Sequence, residues 1–546
     1  MAERLDNTLK RSTPVRWLPR VFIAVALVVY GAYLVVYASY ALALFRFPFD
    51  YDQGEGFELR DSVLFSQGEW PYRDNSQYPF YSSNYPPLYH LLVVPLIWLF
   101  GPHYWTGRLV SFLATLITAA AIGWAVQRHG RRPWLAALCG LAFLASNYVY
   151  HVGPLFRLHM TMVMFETLAV VAVGSAFRAG PDRDIPHQGR LWIAIALLLA
   201  AGYTKQTAVV TCVAVLVFVF LRTPRQAILL AGALAATALA LFGLINLATD
   251  GQWWLNTVVA NANPWIMEQA VGLYRQWFRL HSVLTILALV FAVYELYWDR
   301  LSVYSVWFFV SVAGSVMAGK WGAGESYFTT AIAASCIVAG IGLGRALTWA
   351  EKSKPQMATA LGLAIPLLFV LQARLVFHLP TDTRLAQTVA RLAGQSTATL
   401  VAPQTSCSAP QPARWVPYVD TVGVTLLGKP PTADDAQAGR EIARYIQESA
   451  LPAISEDAGF SMYAGADVVT NPTQLLNLHV SGRLDMVQLL AMIEQKQFGV
   501  VVFRAQFYPP AILEAIGQNY HTVDTVEMNN FVYCILKPRQ AAQPGS

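Results

Sequence analysis

The sequence is poor in charge: Asp, Glu, Lys and Arg make up only 13% of its 546 residues, whereas 55% are hydrophobic. Soluble domains carry about 25% charged residues, so this composition excludes an ordinary soluble enzyme. The five cysteines show no CxxC spacing, and the chain has no HExxH motif and no glycine-rich phosphate loop. These absences exclude the common metal and nucleotide motifs. The net charge of +6 forms no basic stripe interleaved with aromatics, which excludes nucleic acid as a partner.

Apolar segments of membrane-spanning length are abundant instead. A crossing helix needs roughly 20 apolar residues, and about eleven segments approach that length. Leu88 to Phe100 is also apolar, but it is short and contains Pro95, so we expect it at the interface. The predicted crossings are Val21–Leu44, Tyr104–Val126, Trp134–Val149, Leu158–Phe177, Leu191–Tyr203, Thr207–Leu221, Gln226–Leu247, Ser282–Trp298, Ser302–Ala318, Tyr327–Leu347 and Ala358–Leu371.

The distribution of Lys and Arg predicts the orientation, because these residues accumulate on the cytoplasmic side. The N-terminus and alternate loops carry them, so we expect the N-terminus to be cytoplasmic and the loop 45–103 to lie outside. An odd number of crossings also places the C-terminal region outside, although one miscounted helix would reverse that last step. The basic loops contain Arg128, Arg131 and Arg132; Arg178, Arg183 and Arg190; Arg222 and Arg225; Arg300; and Arg345, Lys352 and Lys354.

The chain divides into parts of different composition. A cytoplasmic tail, 1–20, precedes a transmembrane domain, 21–376, which includes the first outside loop 45–103. After Arg374 the long apolar runs give way to helical and strand-like segments of ordinary length, typical of a small α/β domain over 377–546. The predicted fold is a polytopic α-helical membrane protein with a C-terminal extracytoplasmic α/β domain. Cys407 and Cys534 both lie in that domain, and the sequence leaves their pairing open.

The first outside loop concentrates acidic residues. Asp52 and Glu55 are three apart and share a face if the segment is helical, whereas Gly54 and Gly56 favour a turn at its start. A partly dehydrated carboxylate there could act as a general base; a solvated acidic loop is the equally weighted alternative. The carboxylates of the loop are Asp50, Asp52, Glu55, Glu58, Asp61, Glu69 and Asp74.

Two further features carry open alternatives. Glu166 lies near the middle of a predicted crossing, where a carboxylate either serves a function or, protonated, bonds a neighbouring helix. His151 and His159 could meet in space as metal ligands, but no third ligand is visible in the sequence. We therefore assign no metal ligand and no certain cofactor, and a divalent metal ion stays open.

Two motifs in the loop carry a family resemblance. Gly68-Glu-Trp-Pro-Tyr-Arg-Asp74 and Asn84-Tyr-Pro-Pro-Leu-Tyr-His90 follow the acidic segment. The combination resembles the GT-C superfamily of polytopic glycosyltransferases, in the bacterial branch related to protein O-mannosyltransferases and the lipid A aminoarabinose transferase. Supporting segments are Thr106–Ser111, Tyr203–Thr207, Lys320–Phe328 and Ile454–Phe460.

This resemblance implies a GT-C-like fold and an enzyme of the inner (plasma) membrane. Its partners would be a polyprenyl-phosphate sugar, membrane lipids and an acceptor, which is a lipid, a glycan or a protein. Transfer would occur at the outer face with inversion at the anomeric carbon. The acidic residue proposed as base in the family corresponds to Asp52. Many relatives place Asp and Glu side by side, whereas here Gln53 follows Asp52 and Glu55 is displaced, so Glu55 is the candidate partner and the division of roles between the two stays open.

The leaving lipid phosphate calls for cations, which stabilise its developing negative charge. We rank Lys205 first and Lys320 second, followed by Arg157 and Arg279. Arg108, expected to pair with a loop carboxylate, is a further candidate, as are Glu166, Tyr85 and Glu325. The alternatives are a transporter or flippase of lipid-linked saccharides, which would need paired charges near the midplane, and a non-catalytic scaffold with the same fold.

Overall fold

The computed structural model describes residues 14–178, 185–379, 383–392, 394–395, 407 and 428–540. Most of the predicted tail 1–20 lies outside these ranges, as do Pro403, Pro410 and Pro412 in the stretch that leads into the C-terminal domain. The first helix already begins at Pro14.

Apolar sequence becomes helix throughout the first part of the chain, because a helix satisfies its own backbone in lipid. Seven helices are long and apolar enough to cross a membrane, and four apolar helices are shorter. In chain order the helices are α1 (Pro14–Arg46), α2 (Glu55–Ser66), α3 (Leu88–Phe100), α4 (Tyr104–Gly130), α5 (Pro133–Leu144), α6 (Asn147–Val152), α7 (His159–Ala176), α8 (Gln188–Thr204), α9 (Val209–Arg222), α10 (Pro224–Ala248), α11 (Met267–Trp298), α12 (Val303–Gly314), α13 (Thr329–Ser353) and α14 (Pro355–Val376).

Every predicted crossing coincides with a helix. One of them, Trp134–Val149, is interrupted at Ala145 and Ser146, so it forms α5 and the start of α6. Helix α11 runs from Met267 to Trp298 with a kink at His281, where φ is −111° and ψ is 16°, and the predicted crossing begins directly after this kink, at Ser282. The count of about eleven crossings stays a prediction.

Helix α13 lies at the centre of the bundle. In its most apolar stretch of 18 residues, 89% of the stretch is buried inside the protein, compared with 6% in the corresponding stretch of α10. Small residues permit this packing: a Cβ on Gly344 would lie 2.7 Å from the Cα of Gly130 on α4. Close backbone approach of this kind is the usual basis of helix association in membranes. Helix α10 instead exposes apolar side chains to the lipid.

The C-terminal region is the predicted α/β domain. Its sheet has the order β3-β4-β6-β5, with β3 and β4 parallel and the other pairs antiparallel. Asn529 and Asn530 both have positive φ in the two-residue β5–β6 turn, which suits a tight hairpin. The elements are α15 (Arg384–Leu392), α16 (Ala433–Gln447), β3 (Ala453–Ser455), α17 (Ala458–Tyr463), α18 (Pro472–Val480), α19 (Val487–Glu494), β4 (Val500–Phe503), α20 (Pro510–Asn519), β5 (Tyr520–Met528) and β6 (Phe531–Pro538); β1 (Phe177–Arg178) and β2 (Ile185–Pro186) form a separate ribbon.

The C-terminal domain packs on the first loop. Gly459 N donates to Asp50 at 2.8 Å, and the ring of Phe49 packs against Phe460 with centroids 5.6 Å apart. Gln474 donates to Asn256 at 2.8 Å, which ties the domain to the segment before α11. Within the domain Cys407 and Cys534 form a disulfide, so the pairing that the sequence left open is present. Helix α17 of the C-terminal domain therefore contacts the loop directly, and α18 ties the domain to the membrane part of the chain.

Candidate active site

The candidate site lies in the turn between α1 and α2, where Asp52 is partly open to solvent. Arg157, from the segment between α6 and α7, donates through Nε to Asp52 Oδ2 at 2.6 Å. Its Nη1 lies 3.5 Å from Glu58 Oε1. The side chains of Asp52 and Arg157 are 22% and 27% exposed. A carboxylate that is fixed by a guanidinium and still reachable can meet a substrate.

Gly54 makes this ion pair sterically feasible. A Cβ at position 54 would lie 1.8 Å from Arg157 Nη1. The turn that the sequence predicted at Gly54 thus brings the backbone close to a protein side chain. Gly56 has a similar role, since its Cβ would lie 2.5 Å from Asp50 Oδ1 and 2.8 Å from the backbone nitrogen of Gly459. The two glycines admit the Arg157 side chain and the C-terminal domain, respectively.

Glu55, three residues on, is in a different environment. Its carboxylate is fully buried and accepts from Arg108 Nε at 2.9 Å and Nη2 at 2.8 Å. It also accepts from the backbone nitrogens of Phe156 at 2.7 Å and Tyr51 at 2.9 Å. Burial raises the pKa of Glu55, but Arg108 and the backbone donors of Phe156 and Tyr51 together lower it by more, so the pKa lies below its ordinary value. We call Glu55 and Arg108 the buried clamp.

Arg108 extends the buried clamp to the backbone. Its guanidinium donates to the carbonyl oxygens of Leu44, Phe47 and Phe49 at 2.5 to 2.8 Å, in addition to Glu55. The side chain is fully buried at the start of α4. The chain leaving α1 is thereby held to α4, and the expected pairing of Arg108 with a loop carboxylate is present.

Asp50 joins the loop to the C-terminal domain. It accepts from Gly56 N at 2.6 Å, from the Tyr104 hydroxyl at 2.7 Å and from Gly459 N at 2.8 Å. Burial raises the pKa of Asp50, and the nearby carboxylate of Asp457 raises it further. Asp457 itself contacts the Tyr533 hydroxyl at 2.7 Å. This arrangement is structural and crosses the domain boundary.

Near the Asp52–Arg157 pair, the described residues contain one group of buried side chains that could hold a metal ion. It consists of Glu58, Asp61 and His90. Their ligand atoms lie within 4.8 Å of one another, and His90 Nε2 is 2.6 Å from Glu58 Oε2. Asp61 accepts from the Tyr81 hydroxyl at 2.6 Å, and burial raises its pKa to about 6. Two carboxylates and an imidazole are suitable ligands for a divalent ion. A protonated His90 also forms a direct ion pair with Glu58.

The cations form a second cluster. Lys205 lies between α8 and α9 with 3% exposure, and its Nζ contacts His159, with Nδ1 at 3.2 Å. The ring centroid of Tyr327 lies 4.6 Å from this ammonium and that of Tyr85 lies 5.7 Å away. Burial lowers the pKa of Lys205, and the charges of Arg157 and then Lys320 lower it further. No carboxylate of the described residues lies within salt-bridge distance of Lys205.

The other predicted residues occupy varied positions. Lys320 is half-buried and near Lys205, whereas Arg279 lies on an exposed face of α11. Glu325 is half-buried in a 3-10 turn before α13. Glu166 is buried in α7 and accepts from Thr211 and Thr330, both at 2.7 Å, so neighbouring helices satisfy it.

Sequence reasoning missed two contributors, His90 and Asp50. His90 was part of a quoted motif but had no role, because its partners Glu58 and Asp61 lie on another helix. Asp50 was one of seven loop carboxylates, and only its bond to Gly459 distinguishes it. The pair His151 and His159 does not form the metal group: His159 contacts Lys205 and the Ser326 hydroxyl, and His151 packs beside Tyr150.

Comparison with solved structures identifies the fold. Neither family sequence models nor curated protein sequences match the chain. Among solved structures, ArnT from Cupriavidus metallidurans bound to undecaprenyl phosphate matches with a TM-score of 0.53 at 15% identity, covering 94% of this chain and 97% of that one. ArnT is the lipid A aminoarabinose transferase, and its apo form gives a TM-score of 0.54 over 96% of this chain. The chain has the GT-C fold.

A more distant match agrees. The oligosaccharyltransferase from Archaeoglobus fulgidus, tethered to an acceptor peptide with the NVT sequon, gives a TM-score of 0.52 at 10% identity, covering 93% of this chain and 73% of that one. It too belongs to the GT-C superfamily. The GT-C fold predicted from the Asp52 loop and the Tyr85-Pro-Pro87 motif is confirmed. Within this fold, the turn before α2 presents a carboxylate beside a buried cation cluster.

Proposed function

We propose that this protein is a membrane glycosyltransferase that transfers a sugar from a polyprenyl-phosphate donor to a lipid, glycan or protein acceptor. The reaction would take place at the outer face of the plasma membrane, with an N-terminus in the cytoplasm and the C-terminal domain outside. The GT-C fold supports this class, because matching structures hold undecaprenyl phosphate or dolichol-phosphate. The observation that carries the proposal is Lys205, a buried ammonium without a described carboxylate partner beside the Asp52–Arg157 pair.

The base in this proposal is Asp52. The acceptor hydroxyl or amine attacks the anomeric carbon on the side opposite the phosphate, and its proton passes to an Asp52 carboxylate oxygen. The bond between the anomeric carbon and the phosphate oxygen breaks in the same step, so the configuration inverts. Arg157 positions Asp52 for this step, and general base catalysis of this kind contributes typically 10²–10⁴-fold.

The leaving group would be stabilised by the cation cluster. Polyprenyl phosphate gains negative charge as the bond breaks, and Lys205 with Lys320 would supply the compensating charge. An ammonium is costly to bury without an anion beside it, and an anionic ligand relieves that cost. Tyr85 and Tyr327, whose rings flank Lys205, would line the same space.

Glu55 has a positioning role in this proposal. Its five protein donors, two of them on Arg108, leave it no room to accept a proton from a substrate. A divalent ion, if it takes part, would be held by Glu58, Asp61 and His90. Such an ion would supply positive charge near Asp52, and the proposed proton transfer does not depend on it.

The test uses the full-length protein in lipid nanodiscs with a panel of labelled polyprenyl-phosphate sugars. We expect sugar release from at least one donor when an acceptor extract is present. Asp52→Asn should lower that rate by about 10²–10⁴-fold without loss of folded protein. Asp74→Asn is the matched control, because Asp74 is an exposed carboxylate of the same loop.

Two results would count against the proposal. Equal rates in Asp52→Asn and the wild type would reject Asp52 as the base. Movement of lipid-linked saccharide across vesicles without cleavage of any donor would favour the transporter instead.

A chelator tests the metal separately. Loss of turnover in chelator that Zn²⁺ or Mn²⁺ restores would assign a metal to the reaction.

A further inference from the structure

A second polar cavity lies at the end of the bundle opposite Asp52. It occupies about 260 Å³ between the last turns of α7, α9 and α11 and the first turn of α12. Helices α7 and α9 begin beside His159 and Lys205 in the candidate active site, and their other ends, at Gly174 and Arg222, line this cavity. The two spaces are thus separated by the length of the bundle.

Arginine dominates the charge of this cavity. Arg222, Arg300 and Arg345 line it, against the carboxylates of Glu295 and Asp299. Arg345 Nη1 contacts Asp299 Oδ2 at 2.8 Å and Glu295 Oε1 at 3.4 Å. The other lining arginines add positive charge, so the lining has a net charge of about +1 with histidine neutral.

Glu295 is committed to the architecture. It is fully buried and accepts from Ser302 N at 2.9 Å and from the Ser305 hydroxyl at 2.8 Å. These bonds fix the start of α12, whose first residues Val303 and Tyr304 line the cavity.

A buried hydroxyl in the cavity has no hydrogen-bond partner within the part of the chain that the structure describes. Tyr304 is 2% exposed, and its hydroxyl has no hydrogen-bond partner among the described residues. The hydroxyl lies against Gly174, where a Cβ would come within 2.5 Å of it, and both residues line the cavity. A buried hydroxyl of this kind costs free energy unless a bound molecule accepts its proton.

We propose that this cavity binds a phosphate group, supplied by an anionic phospholipid or by free phosphate. Arginine guanidinium groups favour phosphate oxygens, and the Tyr304 hydroxyl can donate to one of them. The volume is below the 300 Å³ or more typical of drug-sized ligands, so it suits a small headgroup. The topology predicted from the basic loops makes this the cytoplasmic end, where anionic lipids are concentrated.

The test measures binding to the full-length protein in neutral detergent, by native mass spectrometry and thermal unfolding. The probes are phosphatidylglycerol, phosphatidylcholine and inorganic phosphate. We expect phosphatidylglycerol or inorganic phosphate to bind and to raise the unfolding temperature, with phosphatidylcholine inert. Binding of phosphatidylglycerol alone identifies the lipid as the source, and stabilisation by inorganic phosphate identifies the free anion.

Four variants locate the site. Arg222→Gln and Arg300→Gln should each weaken binding about tenfold, the loss of one charge-assisted hydrogen bond. Tyr304→Phe should weaken binding while leaving the unfolding temperature of the unliganded protein unchanged or higher, which a merely structural hydroxyl would not do. Arg132→Gln is the matched control, because Arg132 lies at the same end, pairs with Glu351 and does not line the cavity.

The proposal is overturned if phosphatidylglycerol and inorganic phosphate bind no better than phosphatidylcholine, or if Arg132→Gln loses as much binding as the cavity variants. Lys205→Met separates this site from the proposed transferase site. Binding of phosphatidylglycerol that survives Lys205→Met supports the cavity, and binding lost only in Lys205→Met rejects it.

Discussion

Two carboxylates three residues apart in the first loop, Asp52 and Glu55, each form an ion pair with an arginine. The two ion pairs differ in burial and in how many protein donors contact the carboxylate. Glu55 and Arg108 are fully buried, and protein donors occupy the carboxylate completely. Asp52 and Arg157 are 22% and 27% exposed, and their contact leaves the carboxylate reachable. A saturated buried pair maintains a fold, whereas an open pair beside a buried cation can meet a substrate. The comparison assigns structure to Glu55 and chemistry to Asp52.

The largest expected effect breaks the buried clamp. Glu55→Ala leaves the Arg108 charge buried without its carboxylate, which costs about 3–5 kcal/mol of folding free energy. We expect little folded protein, measured by size-exclusion recovery and thermal unfolding in detergent. Recovery and stability equal to the wild type would show that Glu55 is not structural.

The next effect separates the two glycines. Gly54→Ala should displace only the flexible end of Arg157, so turnover falls about 10²-fold while stability is nearly retained. Gly56→Ala should mainly lower stability, because its Cβ would press on the backbone of Gly459. Gly31→Ala, with open space around its Cβ, is the control. Equal loss of stability in Gly54→Ala and Gly56→Ala would contradict the comparison.

A smaller effect concerns Lys205. Lys205→Met should weaken binding of undecaprenyl phosphate about 10–100-fold, the value of a charged hydrogen bond. Burial and the neighbouring cations lower the pKa of Lys205, and a bound phosphate raises it again. Binding should therefore take up protons and weaken as the pH rises through the lowered pKa.

Calorimetry in buffers of different ionisation enthalpy measures this proton uptake. Lys205→Arg serves as the charge-preserving control, because arginine stays protonated and should bind without that uptake. Proton release on binding, or identical uptake in Lys205→Arg, would reject Lys205 as the phosphate contact.

The smallest effect tests an exposed ion pair of the same loop. Glu69 and Arg73 are paired at the surface, with side chains 53% and 29% exposed. Glu69→Gln should change the stability by no more than about 1 kcal/mol and leave turnover unchanged. A larger change in either property would mean that charge in this loop, rather than its burial, decides the outcome.

Much of the fold could be predicted from the sequence, because apolar segments long enough for a bilayer can only become helices. The strand-like segments expected after Arg374 are present as β3 to β6, whereas the short α17 and α18 lack the long amphipathic period that would have indicated a helix. The site was harder. Asp52, Arg157 and Lys205 could be predicted as site residues from residue type and position. The difference in burial between Glu55 and Asp52 could not, because it depends on Arg108 and Phe156, which lie far along the chain.

The same limit explains Glu58, Asp61 and His90. The two carboxylates share a face of α2, as their spacing predicted, but the approach of His90 depends on how α3 folds back on α2. No local pattern encodes that contact. The partner of Arg157 is equally nonlocal, since 105 positions separate it from Asp52.

The most direct test compares the isosteric variants Asp52→Asn and Glu55→Gln, with donor turnover and thermal unfolding measured on the same preparations. The account predicts that Asp52→Asn loses about 10²–10⁴-fold in turnover with an unchanged unfolding temperature. Glu55→Gln should lose stability, and its folded fraction should retain most of the turnover per molecule. The opposite result, with stability lost in Asp52→Asn and turnover abolished in stable, folded Glu55→Gln, would contradict the assignment and make Glu55 the base.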